Sequence, residues 1–410
     1  MITEIPFCFR DRNEDYLTVP SLQKFCDENK LKTSEDKFRL IDNILDFAKL
    51  NIENEIKTLE WFDKCLKEGI KDVIVTKVQG LSDIKNIDKN EWAKLINKEF
   101  NITQTKNILN AVHRSNLKLC SYNCEEEEGK VKKVTFIFTQ LLKEKKNSSN
   151  IGQYPSIIYP VFIDLYLDKG YMVGIAKSKS SIFTYDDTID ERVNDDLQLV
   201  RTNCEKVIRE AFKKVFSALN IESESAEAQK DRFKRAIHKI VDDCTKTPTE
   251  IEQKLESEED SRDNFIKKFF NNNSIDYLEG DNYLNAQEDL KIFMEKYLSI
   301  TCKDKKIFTE ERYGYPTQLA ATDTDFSSIE ETSINDMPLQ CTPIFFDNKK
   351  LIKKQKKCDN MIFIFKREPR KYFTNNKFEV IFEVKRGLLH IKFRKYTLQE
   401  DVQNVLSRIM

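Results

Sequence analysis

Hydrophobic residues recur at helical spacing through much of the first 115 positions. In SEDKFRLIDNILDFAKL the apolar residues that share one helix face are Phe38, Ile41, Ile44, Leu45 and Ala48. Ser34 is the predicted N-cap of this helix. IENEIKTLEWFDKCLKEGI continues the spacing and ends at Gly69, and NEWAKLINKEF and TKNILNAVHR predict two more helices. The pattern predicts a mainly helical N-terminal domain, residues 1–115, with a short strand in DVIVTKV at 72–78.

The hydrophobic period changes from helical spacing to two at about Leu117. KVTFIFTQLL and YPVFIDLYLDKGYMVGIAKSKSSIF alternate in the way that half-buried strands do. Asp168, Lys169 and Gly170 lie between two of these apolar runs, and their composition is typical of a tight turn. The pattern therefore predicts an antiparallel sheet region at 116–186.

Helical spacing returns after the sheet region and gives way to strands near the C-terminus. DLQLVRTNCEKVIREAFKKVFSAL and NAQEDLKIFMEKYL predict a helical block at 187–300. Residues 311–340 are polar and irregular, which indicates a connector or a binding loop. CTPIFF, MIFIF, FEVIFEV and LLHIKF predict strands, and LQEDVQNVLSRIM predicts a last helix. We therefore expect an α+β fold, with the helical block inserted between two sheet-forming regions, the second at 301–410.

The strands FEVIFEV and LLHIKF form a predicted hairpin whose register can be assigned. A turn centred on Arg386 and Gly387 places three apolar pairs on one face: Val384 with Leu389, Phe382 with Ile391, and Val380 with Phe393. The opposite face then carries Glu383 with His390, Ile381 with Lys392, and Glu379 with Arg394. A shift of one residue destroys both patterns, so we expect an amphipathic hairpin with a mixed but mainly basic outer face.

Charge is distributed unevenly along the chain. Residues 348–396 contain 16 Lys or Arg against 4 Asp or Glu, whereas the whole protein has a formal charge of -1. Eight aromatic residues lie among these basic ones, and Tyr372, Phe373 and Tyr396 could stack on bases. Such a segment is typical of phosphate-backbone binding. The candidate binding residues are Lys353, Lys354, Lys356, Lys357, Arg370, Lys371, Lys385, Arg386, Lys392, Arg394 and Lys395.

Bulk composition excludes several classes of protein. The chain has nine glycines in 410 residues, and neither GxGxxG nor GxxxxGK[ST] occurs, which disfavours P-loop and Rossmann nucleotide sites. No apolar run approaches the length of a membrane helix, and the N-terminus lacks the pattern of a signal peptide. Ten cysteines occur singly, which is typical of a reducing compartment. We expect a cytoplasmic protein without a cofactor or a membrane partner.

The strongest catalytic candidate is Glu383-Val384-Lys385, an ExK on a predicted strand. It resembles half of the PD-(D/E)xK nuclease motif, in which two carboxylates hold a divalent metal and the lysine assists the attacking water. The missing carboxylate would be Asp347 or Asp359. A helix usually follows the ExK strand in that family, whereas a tight turn follows it here. A ladder of surface residues across the hairpin accounts for the same positions.

Two further patterns have simpler structural explanations. Arg232 to His238 has the spacing of the Rx4–6H motif of HEPN ribonucleases, although Phe233 stands where that family commonly has a polar residue. A solvated helix face explains this Arg and His. His113, Cys120 and Cys124 could supply three zinc ligands, but the spacing is CxxxC and no second pair follows.

Six acidic residues lie within DDTIDERVNDD at 186–196, and the favourable start of a helix explains them without a metal. No catalytic residue and no metal ligand is therefore predicted.

The leading hypothesis from sequence is a nucleic-acid-binding subunit of an assembly with protein partners or further copies of itself. Phosphate contacts through a basic C-terminal face would bind DNA or RNA without base specificity. One alternative is a scaffold subunit whose basic face docks on an acidic protein surface, and another is a metal-dependent nuclease that uses the ExK strand. An association with prokaryotic mobile-element or antiviral defence machinery is a guess from the overall character of the sequence, and no motif supports it.

Overall fold

A computed structural model describes most of the chain. The described residues are 2, 4–11, 16–102, 107–145, 154–185, 199–277, 281–322, 328–333 and 336–410. The helices are α1 (Phe7–Arg10), α2 (Val19–Glu28), α3 (Lys37–Leu50), α4 (Ile52–Lys67), α5 (Lys89–Glu99), α6 (Cys204–Leu219), α7 (Ala226–Cys244), α8 (Thr249–Ser257), α9 (Glu259–Asn273), α10 (Asn282–Thr301), α11 (Pro343–Gln355) and α12 (Gln399–Ser407). The strands are β1 (Gly69–Gln79), β2 (Lys118–Glu127), β3 (Lys130–Glu144), β4 (Ser156–Tyr166), β5 (Tyr171–Lys177), β6 (Ile182–Tyr185), β7 (Leu199–Thr202), β8 (Glu222–Ser223), β9 (Gly314–Thr322), β10 (Ser328–Thr332), β11 (Asn360–Lys366), β12 (Lys377–Lys385) and β13 (Leu388–Thr397).

The strands form one antiparallel sheet. Their order is β10-β9-β11-β12-β13-β1-β5-β4-β3-β6-β7, with β2 paired to β3 and β8 paired to β1. Strand β1 lies between β13 and β5, so it joins the C-terminal strands to the central ones. The predicted α+β class is confirmed, and the helices between β8 and β9 are inserted between two sheet-forming regions. The four sequence ranges remain predictions as domain boundaries, although strands from all of them enter this sheet.

The two faces of the sheet are covered by different helices. On one face, which we call the inner face, side chains such as Val73, Phe382 and Ile391 form a core with residues of α1–α4, α7, α11 and α12. On the opposite face, the outer face, Ile74 and Ile163 form a second core with residues of α5 and α6. The inner-face core contains residues of both the central and the C-terminal strands, whereas the buried residues of the outer-face core come from β1 to β6, α5, α6 and adjoining segments.

Helix α7 fits the inner face because its apolar residues recur every three or four positions. Its buried side chains include Phe233, Ile237, Ile240, Val241 and Cys244. They pack with residues of β9, β12 and β13 in the inner-face core. None of the helices in the described part of the chain combines the length and hydrophobicity that crossing a lipid bilayer requires.

Helix α6 covers the outer face mainly over β1, β4 and β5. Gly174 in β5 permits this close packing, because a Cβ atom there would lie 2.2 Å from Cγ2 of Ile208. On the other side of β1, the outer face of β12 and β13 carries exposed side chains, among them Lys392 and Arg394. The outer face is therefore half covered and half open to solvent in the described structure.

Two predictions in the C-terminal region were wrong. CTPIFF was expected to be a strand, but Pro343 begins helix α11, whose buried residues Phe345, Phe346, Lys349 and Ile352 follow helical spacing. Proline is well suited to the first turn of a helix, where its missing N–H costs nothing. Residues 311–340 were expected to be irregular, yet they contain β9 and β10, because β9 extends the sheet by pairing with β11.

The N-terminal predictions were wrong at two places. The segment TKNILNAVHR was expected to be a helix, but its described part contains only a 3-10 turn, Ile108–Asn110. His113 holds this segment by bonding the Ile108 carbonyl at 2.9 Å and the Thr139 hydroxyl at 3.0 Å. Helix α3 starts later than expected, because Asp36 and not Ser34 accepts the N-terminal backbone hydrogen bonds.

Candidate nucleic-acid interface

The β12–β13 hairpin has the register that the sequence predicted. Val380 lies opposite Phe393, Phe382 opposite Ile391, and Glu383 opposite His390. Arg386 and Gly387 both have positive φ, at 53° and 76°, as a two-residue type I′ turn requires. A side chain at Gly387 is also sterically excluded, because its Cβ would lie 2.7 Å from the Cα of Ala226 at the start of α7.

The hairpin separates apolar and charged residues between its two faces. Phe382 and Phe393 are fully buried on the inner face, while Lys392 and Arg394 are exposed on the outer face. Lys392 lies 3.6 Å from Glu383, and Arg394 lies 3.6 Å from Glu379. Ion pairs between such solvated side chains contribute little to stability, so these cations remain able to exchange partners.

The outer face of the hairpin carries more basic than acidic residues. Its exposed basic side chains also include Lys385, which lies 3.9 Å from Glu383. Lys385, Lys392 and Arg394 outnumber Glu379 and Glu383 by three to two. We call Lys385, Lys392 and Arg394 the outer-face basic residues.

Helix α6 marks the limit of the open area near His390. This imidazole is buried, and burial lowers its pKa while the nearby Glu205 and Glu383 carboxylates act in the opposite direction. Arg386, in the turn, lies 3.9 Å from Glu205 of α6. This edge of the covering helix carries an ion pair of Glu205 and Arg209, 3.1 Å apart, and the basic area begins beyond it.

At the end of the hairpin away from its turn, the outer face contains a cavity of about 420 Å³. The residues that line it come from β9, β11, β12, β13 and the segments before β9 and α11. They are Lys305, Lys306, Thr309, Tyr315, Asp336, Met337, Pro338, Ile364, Lys377, Phe378, Glu379 and Lys395. Sheet pairing of β9 with β11 and of β11 with β12 brings these distant residues together. We call this feature the lysine cavity.

The lysine cavity has an excess of positive charge. Four lysines face two carboxylates, and one of those carboxylates, Glu379, already lies beside Arg394. The Lys305 ammonium donates hydrogen bonds to the Ser299 and Ile300 carbonyl oxygens at 2.9 and 2.8 Å, so its position is held by the end of α10.

The other lysines of the cavity are less constrained. Lys377 lies 3.4 Å from the hydroxyl of the buried Tyr315, while Lys306, Lys377 and Lys395 are exposed and have no carboxylate within 4 Å among the described residues. Lys366, paired with Lys377 in the sheet, has its pKa lowered by burial and by the Lys377 ammonium. The lysines therefore repel one another, and a bound anion would relieve this repulsion.

The predicted basic residues near 353–357 do not join this surface. Helix α11 packs into the inner-face core through Phe345 and Phe346, and so it lies on the opposite side of the sheet. Lys353, Lys354 and Lys356 are exposed there, and Lys357 lies 2.5 Å from Asp231 of α7.

Two other lysines of α11 contact the helical block directly. Lys349 forms a buried ion pair with Glu295 of α10 at 2.5 Å, and Lys350 lies 2.7 Å from Asp289. Part of the basic segment therefore binds the acidic helices of the same chain.

The remaining predicted cations lie at α12 and α2. Arg370 contacts Glu400 of α12, and Lys371 contacts Asp27 of α2. The predicted stacking residues are also engaged here, since the rings of Phe373 and Tyr396 stack on each other at 5.5 Å. Of the eleven predicted binding residues, the structure therefore brings together the three outer-face basic residues, Arg386 at the hairpin turn and Lys395 in the lysine cavity.

The ExK residues lie on the open face without a second carboxylate of the predicted kind. Asp359 contacts Lys234 of α7 on the inner side, whereas Glu383 points to the outer side of the sheet. Asp347 lies 2.5 Å from Lys296 of α10. Among the residues that the structure describes, no three His, Cys, Asp or Glu side chains are arranged to hold a metal ion.

The HEPN-like residues are also separated. The Arg232 guanidinium donates hydrogen bonds to both carboxylate oxygens of Glu224, at 3.0 and 3.1 Å. His238 lines a cavity of about 300 Å³ between α7 and α11, and Arg232 is not among the residues that line it. The two side chains lie six residues apart on one helix and so point in different directions.

The candidate zinc ligands do not converge. Both ring nitrogens of His113 are within hydrogen-bond distance of protein oxygens. Cys120 belongs to the inner-face core, whereas Cys124 belongs to the outer-face core. The acidic run 186–196 lies outside the described residues.

Sequence analysis missed most of the lysine cavity. Lys305, Lys306 and Lys377 were not among the predicted residues, and neither was Tyr315. The only local signal is the cluster of three lysines in KDKK at 303–306. The pairing of β9 with β11, which creates the cavity, has no signal in the sequence. No protein family model, curated protein or solved structure matches this chain.

Proposed function

We propose that this protein binds nucleic acid through the open half of the outer face. The observation that carries the proposal is the convergence of exposed lysines and an arginine from separate strands on one uncovered sheet surface. A chain of phosphates spaced along a strand is matched by cations spaced along a hairpin. Such contacts bind the backbone of DNA or RNA without selecting a base sequence.

The flat form of the surface favours a single strand over a duplex. The β12–β13 hairpin presents its cations on the face of a sheet and not along a helix. Ile362 and Ile381 are partly buried between the cations and offer apolar area for sugars or bases. Single strands bind such surfaces by combining backbone attraction with contacts to exposed bases.

Salt dependence tests the proposal most directly. Four phosphate contacts with a single strand predict a fall in affinity of about 50-fold between 50 and 200 mM salt. We expect fluorescence anisotropy with a labelled single-stranded oligonucleotide to show this steep dependence. Binding that is absent at 50 mM salt, or that does not change with salt, would rule out the proposed function.

A matched pair of variants tests which surface is used. Replacing Lys385, Lys392 and Arg394 with Ala should weaken binding at low salt and reduce the slope of log affinity against log salt by about two. Replacing Lys353, Lys354 and Lys356 with Ala removes the same charge from α11, on the other side of the sheet. The second variant should bind nearly as well as the wild type, and equal losses in both would contradict the assignment of the surface.

A protein partner with an acidic surface is the second candidate. The contacts of Lys349 with Glu295 and of Lys350 with Asp289 favour it, because they show that this basic segment already recognises acidic helices within the chain. Under this alternative the outer-face variant would lose a protein partner while nucleic-acid binding stays absent. Co-purification of the wild type and the outer-face variant distinguishes the two candidates.

The cytoplasm is the compartment that we infer for this activity. All ten cysteines are described, and each is in the reduced thiol form. Seven of them are buried, where burial raises the pKa of thiols such as Cys26, to about 11, and keeps them protonated. Such thiols persist in a reducing compartment. The protein would act there with nucleic acid and, as the sequence suggested, within a larger assembly.

A further inference from the structure

The lysine cavity differs in shape and charge from the rest of the basic surface. The β12–β13 face is open along its length, so a strand can enter and leave it. The cavity, of about 420 Å³, is a recess at one end of that face, within the size range of small-ligand pockets. Four lysines line the cavity, whereas the cations of the open face are spaced along the hairpin.

We propose that the lysine cavity binds a terminal phosphate monoester, held at the end of a nucleic-acid strand that lies on the outer face. This inference rests on the proposed function, and it adds the chemical group that the site selects. A recess at the end of a surface accommodates the end of a strand more readily than its middle. A terminal phosphate also carries a charge of about −1.5 to −2 near neutral pH, whereas each internal phosphodiester carries −1.

The arrangement of lysines suits such a dianion. Lys306, Lys377 and Lys395 approach the cavity from three separate elements, and their exposed ammonium groups have no carboxylate within 4 Å among the described residues. Lys305 is fixed by two backbone carbonyl oxygens, which places one positive charge at the wall in the free protein. Lysine binds phosphate as a point charge and needs no planar match, so several can share one phosphate.

The two carboxylates at the cavity oppose anion binding less than their number indicates. Glu379 lies 3.6 Å from the Arg394 guanidinium, so its charge is partly neutralised. Asp336 is exposed and its charge is screened by water. Tyr315 is buried beneath Lys377, and its hydroxyl lies 3.4 Å from that ammonium group. The cavity therefore retains a positive potential.

A comparison of oligonucleotide ends tests the inference. Labelled single strands of one sequence would carry a 5′-phosphate, a 3′-phosphate or hydroxyls only, and anisotropy would give the affinity of each. We expect at least one phosphorylated end to bind about tenfold more tightly than the hydroxyl end at pH 7.5. That preference should decrease below about pH 6, where the monoester dianion takes up one proton and becomes a monoanion.

Two sets of variants separate the cavity from the open face. Replacing Lys306, Lys377 and Lys395 with Ala should abolish the preference for a phosphorylated end. The variant without Lys385, Lys392 and Arg394 should weaken binding of all three strands by the same factor and keep the preference. Circular dichroism and a melting curve would show that both variants fold, as expected for exposed side chains.

The outcomes distinguish the two proposals from each other. Equal affinity for phosphorylated and hydroxyl ends would overturn the cavity inference and leave the proposed function intact. No binding of any strand would overturn the proposed function and the terminal-phosphate inference with it. Adenosine monophosphate and inorganic phosphate, tested by thermal shift, address the remaining source of phosphate. If adenosine monophosphate stabilises the wild type but not the cavity variant, and strands do not bind, the ligand is a free nucleotide, contrary to our inference.

Discussion

The outer face of the sheet has opposite character on the two sides of β1. On one side, Ile163 of β4 lies under α6 and is completely buried, and β5 is buried along its whole length. On the other side, β12 alternates between buried and partly exposed residues, and Lys392 and Arg394 of β13 face solvent. The backbone continues through both halves with the same antiparallel pairing. The covering helix, and not the sheet, therefore decides which half is available to a ligand.

The difference also explains which sequence signals were informative. A strand that is buried on both faces is nearly continuous in hydrophobic residues, whereas a strand with one solvated face alternates. The alternation in FEVIFEV and LLHIKF therefore contained the orientation of every side chain in the hairpin. The central strands were also expected to be half-buried, but β4 and β5 are buried on both faces, and the position of α6 over them could not be predicted.

The largest expected effect comes from placing the same charge on the two halves. Ile163→Lys would bury an ammonium group under α6, among the apolar side chains of the outer-face core, and should reduce the free energy of unfolding by more than about 5 kcal/mol. Ile381→Lys, on the open half, should change it by less than about 1 kcal/mol. Urea unfolding of the two variants would measure the contrast, and similar losses would show that the open half is covered in solution.

The second prediction compares the two faces of a single hairpin. Phe382→Ala removes a fully buried ring from the inner-face core and should cost about 3 to 5 kcal/mol. Lys392→Ala removes a solvated side chain of the neighbouring strand and should leave the free energy of unfolding almost unchanged. Thermal or urea unfolding of both variants provides the measurement. A large loss for Lys392→Ala would mean that its pair with Glu383 is structural.

The third prediction concerns an acidic residue on the inner face at the sheet edge. Glu331 of β10 is completely buried, and burial raises the pKa of its carboxyl group to about 7, against the opposing effect of the Asn348 side chain. The folded protein therefore holds this proton more tightly than the unfolded chain. The stability that this bound proton contributes is fully present below about pH 4.5 and is lost as the pH rises to about 7.

The rise in the pKa of Glu331 from 4.5 to about 7 corresponds to about 3 kcal/mol of the free energy of unfolding. Glu331→Gln should therefore unfold like the wild type at pH 4.5 and should be more stable by that amount at pH 8. Because other groups also titrate, the comparison is the difference between the two proteins at each pH. A constant difference from pH 4.5 to 8 would show that Glu331 has an ordinary pKa in the folded state.

The fold was predictable where local patterns determine it and unpredictable where distant partners do. Alternation around the Arg386–Gly387 turn predicted the hairpin register, because side-chain direction in a strand follows position alone. The start of helix α11 was predicted to be a strand because its buried residues Phe345, Phe346, Lys349 and Ile352 show helical spacing only when Lys349 is counted with them. In a sequence pattern Lys349 counts as polar. Its burial depends on Glu295, which is 54 residues away in the chain.

The candidate site was predictable only in part for the same reason. The three outer-face basic residues belong to one local segment, and their shared face follows from its alternation. Lys305 and Lys306 join them only because β9 pairs with β11, and β9 itself has little local strand signal in GYPTQLAAT. Lys353 and Lys392 both lie in the basic segment 348–396 and were therefore predicted to belong to one binding surface. In the structure α11 and the hairpin's outer face lie on opposite sides of the sheet.

The smallest expected change in stability decides between binding and catalysis on the open half. Glu383 lies 3.6 Å from Lys392 and 3.9 Å from Lys385, in partly solvated ion pairs that contribute at most about 1 kcal/mol. Glu383→Ala should therefore fold normally. If the face binds phosphates, removal of this negative charge should raise the affinity for a single strand a few-fold, and Glu383→Gln should do the same.

If the ExK residues instead support a metal-dependent nuclease, Glu383→Ala and Lys385→Ala would both abolish magnesium-dependent cleavage of a labelled strand. Gel analysis of that strand beside the anisotropy measurement gives opposite results for the two hypotheses, because a binding surface gains from the loss of Glu383 and a catalytic site does not survive it.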